Sequence, residues 1–245
     1  MTPSIRVISL ARSTGRRQAF TNANVHVDFT FFDAIEGAGI LQEVNHAPDL
    51  FEPNLPYSPG AYGCAMSHLS LWQEAADSGR PVTVVEDDAV LRHDFAQQSA
   101  ALLASLPADW DICVWAWNFD SILSLNVMPG VSTAVMVFDQ PQLCKSLDAF
   151  QRIGGRPNAL RLDKCLGTPA YTISAAGARK YMSACFPLRH SRVHFPLLNK
   201  EVTNNGIDIA MNAIYGTTNA WCSMPPLAAT PNDAASSLIQ HRTRA

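Results

Sequence analysis

Several things this chain of 245 residues lacks narrow what it can be. It has no run of about 20 apolar residues, the length that crosses a bilayer, so no membrane-spanning helix is expected. A basic excess is also missing: 18 Lys and Arg stand against 21 Asp and Glu, a net charge of −3, with no Lys/Arg-rich patch. Such a balance offers little grip on a phosphate backbone and argues against nucleic acid as a partner. The opening MTPSIRVISLARS has neither an apolar h-region nor a cleavage site, so it does not read as a signal peptide. None of the six cysteines (Cys64, Cys113, Cys144, Cys165, Cys185, Cys222) belongs to a CxxC pair. They read as reduced thiols, mostly buried, of a cytoplasmic protein. No P-loop or kinase motif supports a metal-dependent phosphotransferase. Repeats, low-complexity tracts and linkers are absent, which points to one domain.

What is present is an ordinary globular composition, 47% hydrophobic and 16% charged, with enough chain for a sizeable core. IRVISL (Ile5–Leu10) is β-branched and apolar, as a buried first strand should be. Ser13 or Thr14 can cap a helix that starts near Gly15. Val25, Val27, Phe29 and Phe31 alternate with polar or mixed positions and predict a second strand. Strand, helix and strand in succession make a βαβ unit and imply a parallel sheet. The Pro- and Asn-rich stretch from Asn45 to Gly60 is expected to be a lid or an acceptor-side loop. Ser58 and Pro59 open a helix with Ala65, Leu69, Trp72 and Ala76 at helical spacing, and Gly79 with Pro81 ends it. A helix is predicted near Asp94–Leu106, strands at DICVWAW, STAVMVFD and PAYTIS, and a helix capped by Ser174. GIDIAMNAIYG predicts a short helix with Asp208 as candidate cap and Gly216 as stop. The tail from Pro225 reads as irregular.

The chemistry gathers in VTVVEDDAV (Val82–Val90), where an apolar strand runs straight into Glu86, Asp87 and Asp88. Three like charges repel one another and resist burial unless water, a cation or a positive partner meets them. Solvated acids capping the next turn are one reading. A site for a hard divalent cation is the other, since Mg²⁺ and Mn²⁺ take carboxylate oxygens. His190 and His194 have the i, i+4 spacing of a helical metal pair, but Pro187 and Pro196 bracket them and favour a loop.

A basic turn (SLARSTGRR), FFDAIEG, YSPGAYGCAMSHLSLW and VTVVEDDAVL follow one another in the first half. Together with TPAYTISAAGARKY, the Asp of GIDIAMN, Pro225–Pro226 and Ser237, they resemble glycosyltransferase family 25. That family includes lipooligosaccharide and collagen galactosyltransferases. The resemblance implies a single α/β, GT-A-like domain over residues 1–245, with a mostly parallel central sheet flanked by helices. Residues 1–110 form the nucleotide-sugar half and 111–245 the acceptor-side half. The implied reaction is an inverting, metal-dependent transfer of a hexose, galactose from UDP-galactose, to a lipooligosaccharide or other glycan hydroxyl. Mn²⁺ or Mg²⁺ is the implied cofactor. The expected place is cytoplasmic, with peripheral contact at the inner membrane.

By the same resemblance Asp88 is the metal ligand, with Glu86 or Asp87 facing ribose or metal-bound water and Glu86 a second candidate ligand. Arg12, Arg16 and Arg17 are expected at the diphosphate or base, though at least one suits a plain helix surface. Asp33 is placed at the base or ribose, or holds its turn. Ser67 and His68 are expected at the donor phosphate, although a lone His on such a helix is commonly a core residue. Asp163 and Asp208 are the acids of the acceptor side. The sequence departs from the family at Ser9 and Ala11, where Asn and Asp are usual, and at Ala61 or Tyr62, where an acid is usual. The first two departures suggest the alternative of a catalytically weakened homologue that binds nucleotide or glycan.

Overall fold

The computed structural model describes residues 3–44 and 47–232. Asn45, His46 and Ser237 therefore lie outside the described residues. Strand β1 (Ser4–Ser9) leads into helix α1 (Thr14–Ala23), strand β2 (Thr30–Asp33), helix α2 (Gly37–Glu43) and the long helix α3 (Pro59–Ser78). Strand β3 (Val82–Glu86), strand β4 (Val90–Leu91), helix α4 (Phe95–Ser105) and strands β5 (Ile112–Ala116), β6 (Ile122–Met128) and β7 (Ser132–Val137) follow. Next come helices α5 (Gln140–Lys145) and α6 (Leu147–Gln151), strands β8 (Asn158–Cys165) and β9 (Ala170–Ile173), and helix α7 (Ala175–Cys185). The described chain closes with strands β10 (Arg192–Phe195) and β11 (Lys200–Thr203), helix α8 (Ile207–Asn212) and strands β12 (Ala220–Met224) and β13 (Ala228–Ala229).

One nine-stranded sheet in the order β2-β1-β3-β9-β5-β12-β8-β6-β7 organises the domain. The βαβ start holds: β1 pairs in parallel with both β2 and β3. The pairings orient β1, β2, β3, β5, β6 and β12 one way and β7, β8 and β9 the other. The central strands are apolar on both faces because helices cover both, as expected of buried strands. Val84, Ile112, Val114, Tyr171 and Ile173 join the core on the α3 and α7 side. Val7, Val85, Cys113 and Trp115 join that on the α1 and α4 side.

Local signals explain α3. Ser58 Oγ accepts the Ala61 N–H at 3.1 Å, Pro59 occupies the first turn, and Gly79 ends the helix at φ 66°. Gly63 lets this helix touch the chain after β2: a Cβ there would lie 2.3 Å from the Ile35 carbonyl oxygen. Ser67 reinforces the contact by accepting the Ile35 N–H at 2.9 Å.

Other expectations need correcting. The second strand spans only Thr30–Asp33, and Val25 is 78% exposed. Phe29 and Phe31 instead pack edge-on against Phe20 of α1, at 5.0 and 6.1 Å between centroids. Helix α1 begins at Thr14, and Ser13 makes no side-chain cap bond. The described part of the loop before α3 is not a free lid, since Phe51, Leu55 and Tyr57 are buried and Phe51 bridges to Leu188. His194 lies in β10 rather than in a loop. The tail returns to regular structure at β13, which pairs with β4.

The close approach at Gly63 sets a test. Gly63→Ala should destabilise the protein by about 1–3 kcal/mol, the scale of overpacking. Gly15→Ala, with nothing within 4 Å of its Cβ, should be neutral or stabilising. Urea melts of the two variants decide it, and equal stabilities would undo the packing argument.

Candidate active site

Because β1, β2 and β3 are parallel, their C-terminal ends share one rim, with Ser9 beside Asp33 and Ile8 beside Glu86. The three acids at the exit of β3 meet different fates there. Asp87 is answered by protein: its Oδ2 accepts the Ser9 hydroxyl at 2.6 Å, and its Oδ1 accepts the Arg16 Nε–H at 2.9 Å. The departure at Ser9 thus supplies a partner for the cluster. Glu86 accepts the Thr168 hydroxyl at 2.6 Å. Burial opposes its charge, but His68, Thr168 and Arg16 outweigh that and hold Glu86 below the usual carboxylate range.

Asp88 is the acid left over. Arg16 is its nearest cation, at 3.9 Å, and its Oδ1 is buried with no hydrogen-bond partner among the described residues. Burial, then Glu86 and Asp87, push its carboxyl up to about 6, with Arg16 opposing. An under-neutralised carboxylate beside an ionised one is a donor set suited to a hard divalent cation. Asp88 and Glu86 are the residues that fit it.

His68 is fully buried, so it does not meet a phosphate as expected; it faces Glu86 Oε1 at 3.7 Å. Trp72 Nε1–H donates to the Tyr171 hydroxyl at 2.7 Å, and that hydroxyl lies 2.7 Å from His68 Nδ1. If Tyr171 donates to Nδ1, the ring hydrogen lies on Nε2 and faces Glu86, where Nε2 makes no hydrogen bond to any described residue. Cys64, His68 and Glu86 bring ligand atoms within 4.8 Å of one another. They suit a metal poorly, because His68 offers a hydrogen there and burial holds the Cys64 thiol well above its ordinary value. Ser67 is no substrate contact either: its buried hydroxyl donates to the Gly63 carbonyl at 2.7 Å and accepts from Ile35.

The turn before β9 links the acids to Asp208. Thr168 holds Glu86, and the neighbouring Gly167 donates its N–H to Asp208 Oδ2 at 2.9 Å. Asp208 is not the helix cap that was expected. Gly206 is the N-cap of α8, and Asp208 sits in the first turn. Its ionisation also differs from what a helix N-terminus implies. Burial raises its carboxyl above the ordinary value, against the opposing N–H groups of Gly167 and Ile209.

Among the described residues the side chains of the remaining candidates make no direct bond to the three strand acids, though Arg17 and Asp33 border Ser9 on the same rim. Asp163, on β8, accepts from Ser124 at 2.7 Å and Lys164 at 3.3 Å. Arg12 pairs with Glu36 on the surface. Arg17 pairs with Asp33, whose side chain is 72% exposed, and donates to the Ser9 carbonyl at 2.8 Å. His190 bonds Glu52 and Pro53. Sequence reasoning missed Thr168 and Tyr171, although both lie in the family-like stretch TPAYTISAAGARKY; Tyr171 fell within PAYTIS, read as a strand, and Thr168 just before it.

Residues 2–193 match the sequence model of glycosyltransferase family 25 (LPS biosynthesis protein). The lacto-N-neotetraose biosynthesis glycosyltransferase LgtB of Neisseria gonorrhoeae is 37% identical over 77% of this chain and 63% of its own length. The inactive glycosyltransferase 25 family member 3 of Mus musculus is 28% identical over 73% of this chain and 28% of its own. Procollagen galactosyltransferase 1-A of Xenopus laevis is 24% identical over the same shares, 73% and 28%. The chain thus spans less than two thirds of the length of each relative. Among the described residues no helix is long and apolar enough to cross a membrane.

The raised Asp88 carboxyl makes a signed prediction. A folded-state pKa above the unfolded one means that this group's cost grows as pH rises from about 4 to about 6. Without added metal, Asp88→Asn should melt with wild type near pH 4 and about 5–10 °C above it at pH 7.5. Mn²⁺ should then stabilise wild type and not the variant. Equal melting at pH 7.5 would show that Asp88 carries no such penalty.

Proposed function

The chain belongs to glycosyltransferase family 25, and from that we propose that it transfers a hexose from a nucleotide sugar to a glycan hydroxyl. The observation that carries the reading is Asp88: a carboxylate at the exit of a central strand, its Oδ1 unmet and its carboxyl at about 6. UDP-galactose is the proposed donor, and lipooligosaccharide or another glycan the acceptor, in keeping with the names of LgtB and the procollagen galactosyltransferase. Mn²⁺ or Mg²⁺ is the proposed cofactor, held by Asp88 and Glu86, and when bound it supplies positive charge against a departing diphosphate.

The protein's own residues perform the rest. Arg16 and Ser9 neutralise Asp87 and keep the acid cluster folded, so Arg16 positions the site and is not free for the diphosphate. Arg12, exposed on the surface, is the arginine best suited to the nucleotide, and Arg17, paired with Asp33 and the Ser9 carbonyl, is the second. Glu86 stays ionised through Thr168 and His68. Asp208 is the base that takes the proton from the acceptor hydroxyl as inversion proceeds. Its raised pKa makes it a better base than an exposed aspartate. In this reading residues 1–110 hold the donor and 111–245 the acceptor, and the enzyme works in the cytoplasm, touching the inner membrane peripherally.

A second reading, a weakened homologue that binds without transfer, has support from the relative named as inactive and from Ala11. Ser9 does not add to it, since its hydroxyl serves Asp87. UDP release that depends on added acceptor separates the two. Binding of UDP without such release, across a panel of UDP-sugars, would establish the binding module.

Asp208→Asn should lower kcat by about 10²-fold or more, the scale of general-base catalysis, with donor affinity little changed. Its amide oxygen can still accept from Gly167, and burial already opposes the carboxylate, so the melting temperature should hold or rise. In wild type the acid limb of kcat should sit above the ordinary aspartate range, following the raised pKa. Near-normal kcat in the variant would remove Asp208 as base and make Asp163 the next acid to test.

A further inference from the structure

We propose that the side-chain amide of Asn118 is a sugar-recognition group that binds a hydroxyl of the acceptor hexose beside Asp208; this rests on the transferase reading above. Asn118 follows the central strand β5, and its backbone is committed to the fold. Its N–H donates to the Leu166 carbonyl at 2.8 Å, and its carbonyl accepts from Ser121 at 3.1 Å. The side-chain amide is half-buried and makes no hydrogen bond to any described residue.

Gly167 fixes where this amide lies. A Cβ on Gly167 would sit 2.1 Å from Asn118 Oδ1 and 2.4 Å from its Cγ, so the amide rests on the bare α-carbon. The N–H of the same Gly167 is the donor to Asp208 Oδ2 at 2.9 Å. One residue thus touches the proposed base through its nitrogen and the free amide through its α-carbon. Gly167 also has φ +83°, a conformation that other residues rarely adopt, so both contacts depend on its being glycine.

The segment is held rigidly. Trp117 is fully buried, and Phe119 stacks on Trp117 and Phe138 with centroids 5.7 and 4.4 Å apart. A donor–acceptor pair on such a support loses little entropy on binding. The chemistry selects the ligand class. An amide offers two N–H donors and an acceptor oxygen, which match a hydroxyl that both donates and accepts. Asp208, which shares Gly167 with the amide, makes the neighbourhood unfavourable to an anion, so a neutral polyol suits it and a phosphate does not.

Saturation-transfer NMR on the full chain tests this with D-galactose, D-glucose and N-acetyl-D-glucosamine as probes, each with and without UDP and Mn²⁺. At least one probe should bind wild type. Asn118→Ala should weaken that binding about tenfold, the scale of one or two hydrogen bonds. The near-isosteric Asn118→Asp keeps the shape and loses the donors, and it should weaken binding as well. UDP-induced thermal stabilisation should be the same in all three proteins. Equal hexose affinity in wild type and both variants would overturn the proposal, as would the absence of any hexose signal from wild type. Loss of UDP stabilisation in wild type itself would count against the transferase reading, and the arms without UDP would still decide Asn118.

Discussion

Everything at the rim depends on the neutralisation of Asp87. Three consecutive carboxylates at the end of a buried strand are tolerable only if one is discharged locally, and Ser9 and Arg16 do that. The contact also joins three elements: Ser9 ends β1, Arg16 lies on α1, and Asp87 leaves β3. With Asp87 drawn toward α1, Glu86 turns to the opposite face, where α3 presents His68. Asp88 remains between them with an unmet oxygen. The polarity of the site therefore follows from one charge-assisted contact rather than from three equivalent acids.

The far side of the cluster is set by a buried chain of hydrogen bonds. Trp72, Tyr171 and His68 occupy a region with no solvent to satisfy them, so each fixes the next. Their order aims a ring hydrogen at Glu86. Removing any one would leave a buried polar atom unpaired, a cost out of proportion to the size of the side chain.

Much of this was legible where the signal is local. Ser58, Pro59 and Gly79 mark the ends of α3 through turn chemistry, and the apolar runs of β1, β3 and β5 announce buried strands. The acids stand out because a hydrophobic strand does not otherwise end in them. What escaped the sequence was decided by distant partners. NALRLDKC gives no strand pattern, since Arg161, Asp163 and Lys164 interrupt it, and only pairing with β12 and β6 makes it β8. Ser67 looks like a site residue until Ile35 claims its hydroxyl. Asp208 looks like a cap until Gly167, distant in sequence, draws its carboxylate away and burial raises its pKa.

The position of β9 has a consequence for how the protein is made. It lies between β3 and β5 and pairs antiparallel with both, so Val82 meets Ile173 and Ile112 meets the same residue. As the chain leaves the ribosome, β3 is complete long before the strand that covers its inner edge exists. For that interval an apolar strand stands open to pairing with any other chain. The acids that follow it then act as gatekeepers, since like charges discourage a second copy from docking there. The feature proposed to hold a cation in the finished protein also keeps the nascent one apart from its neighbours.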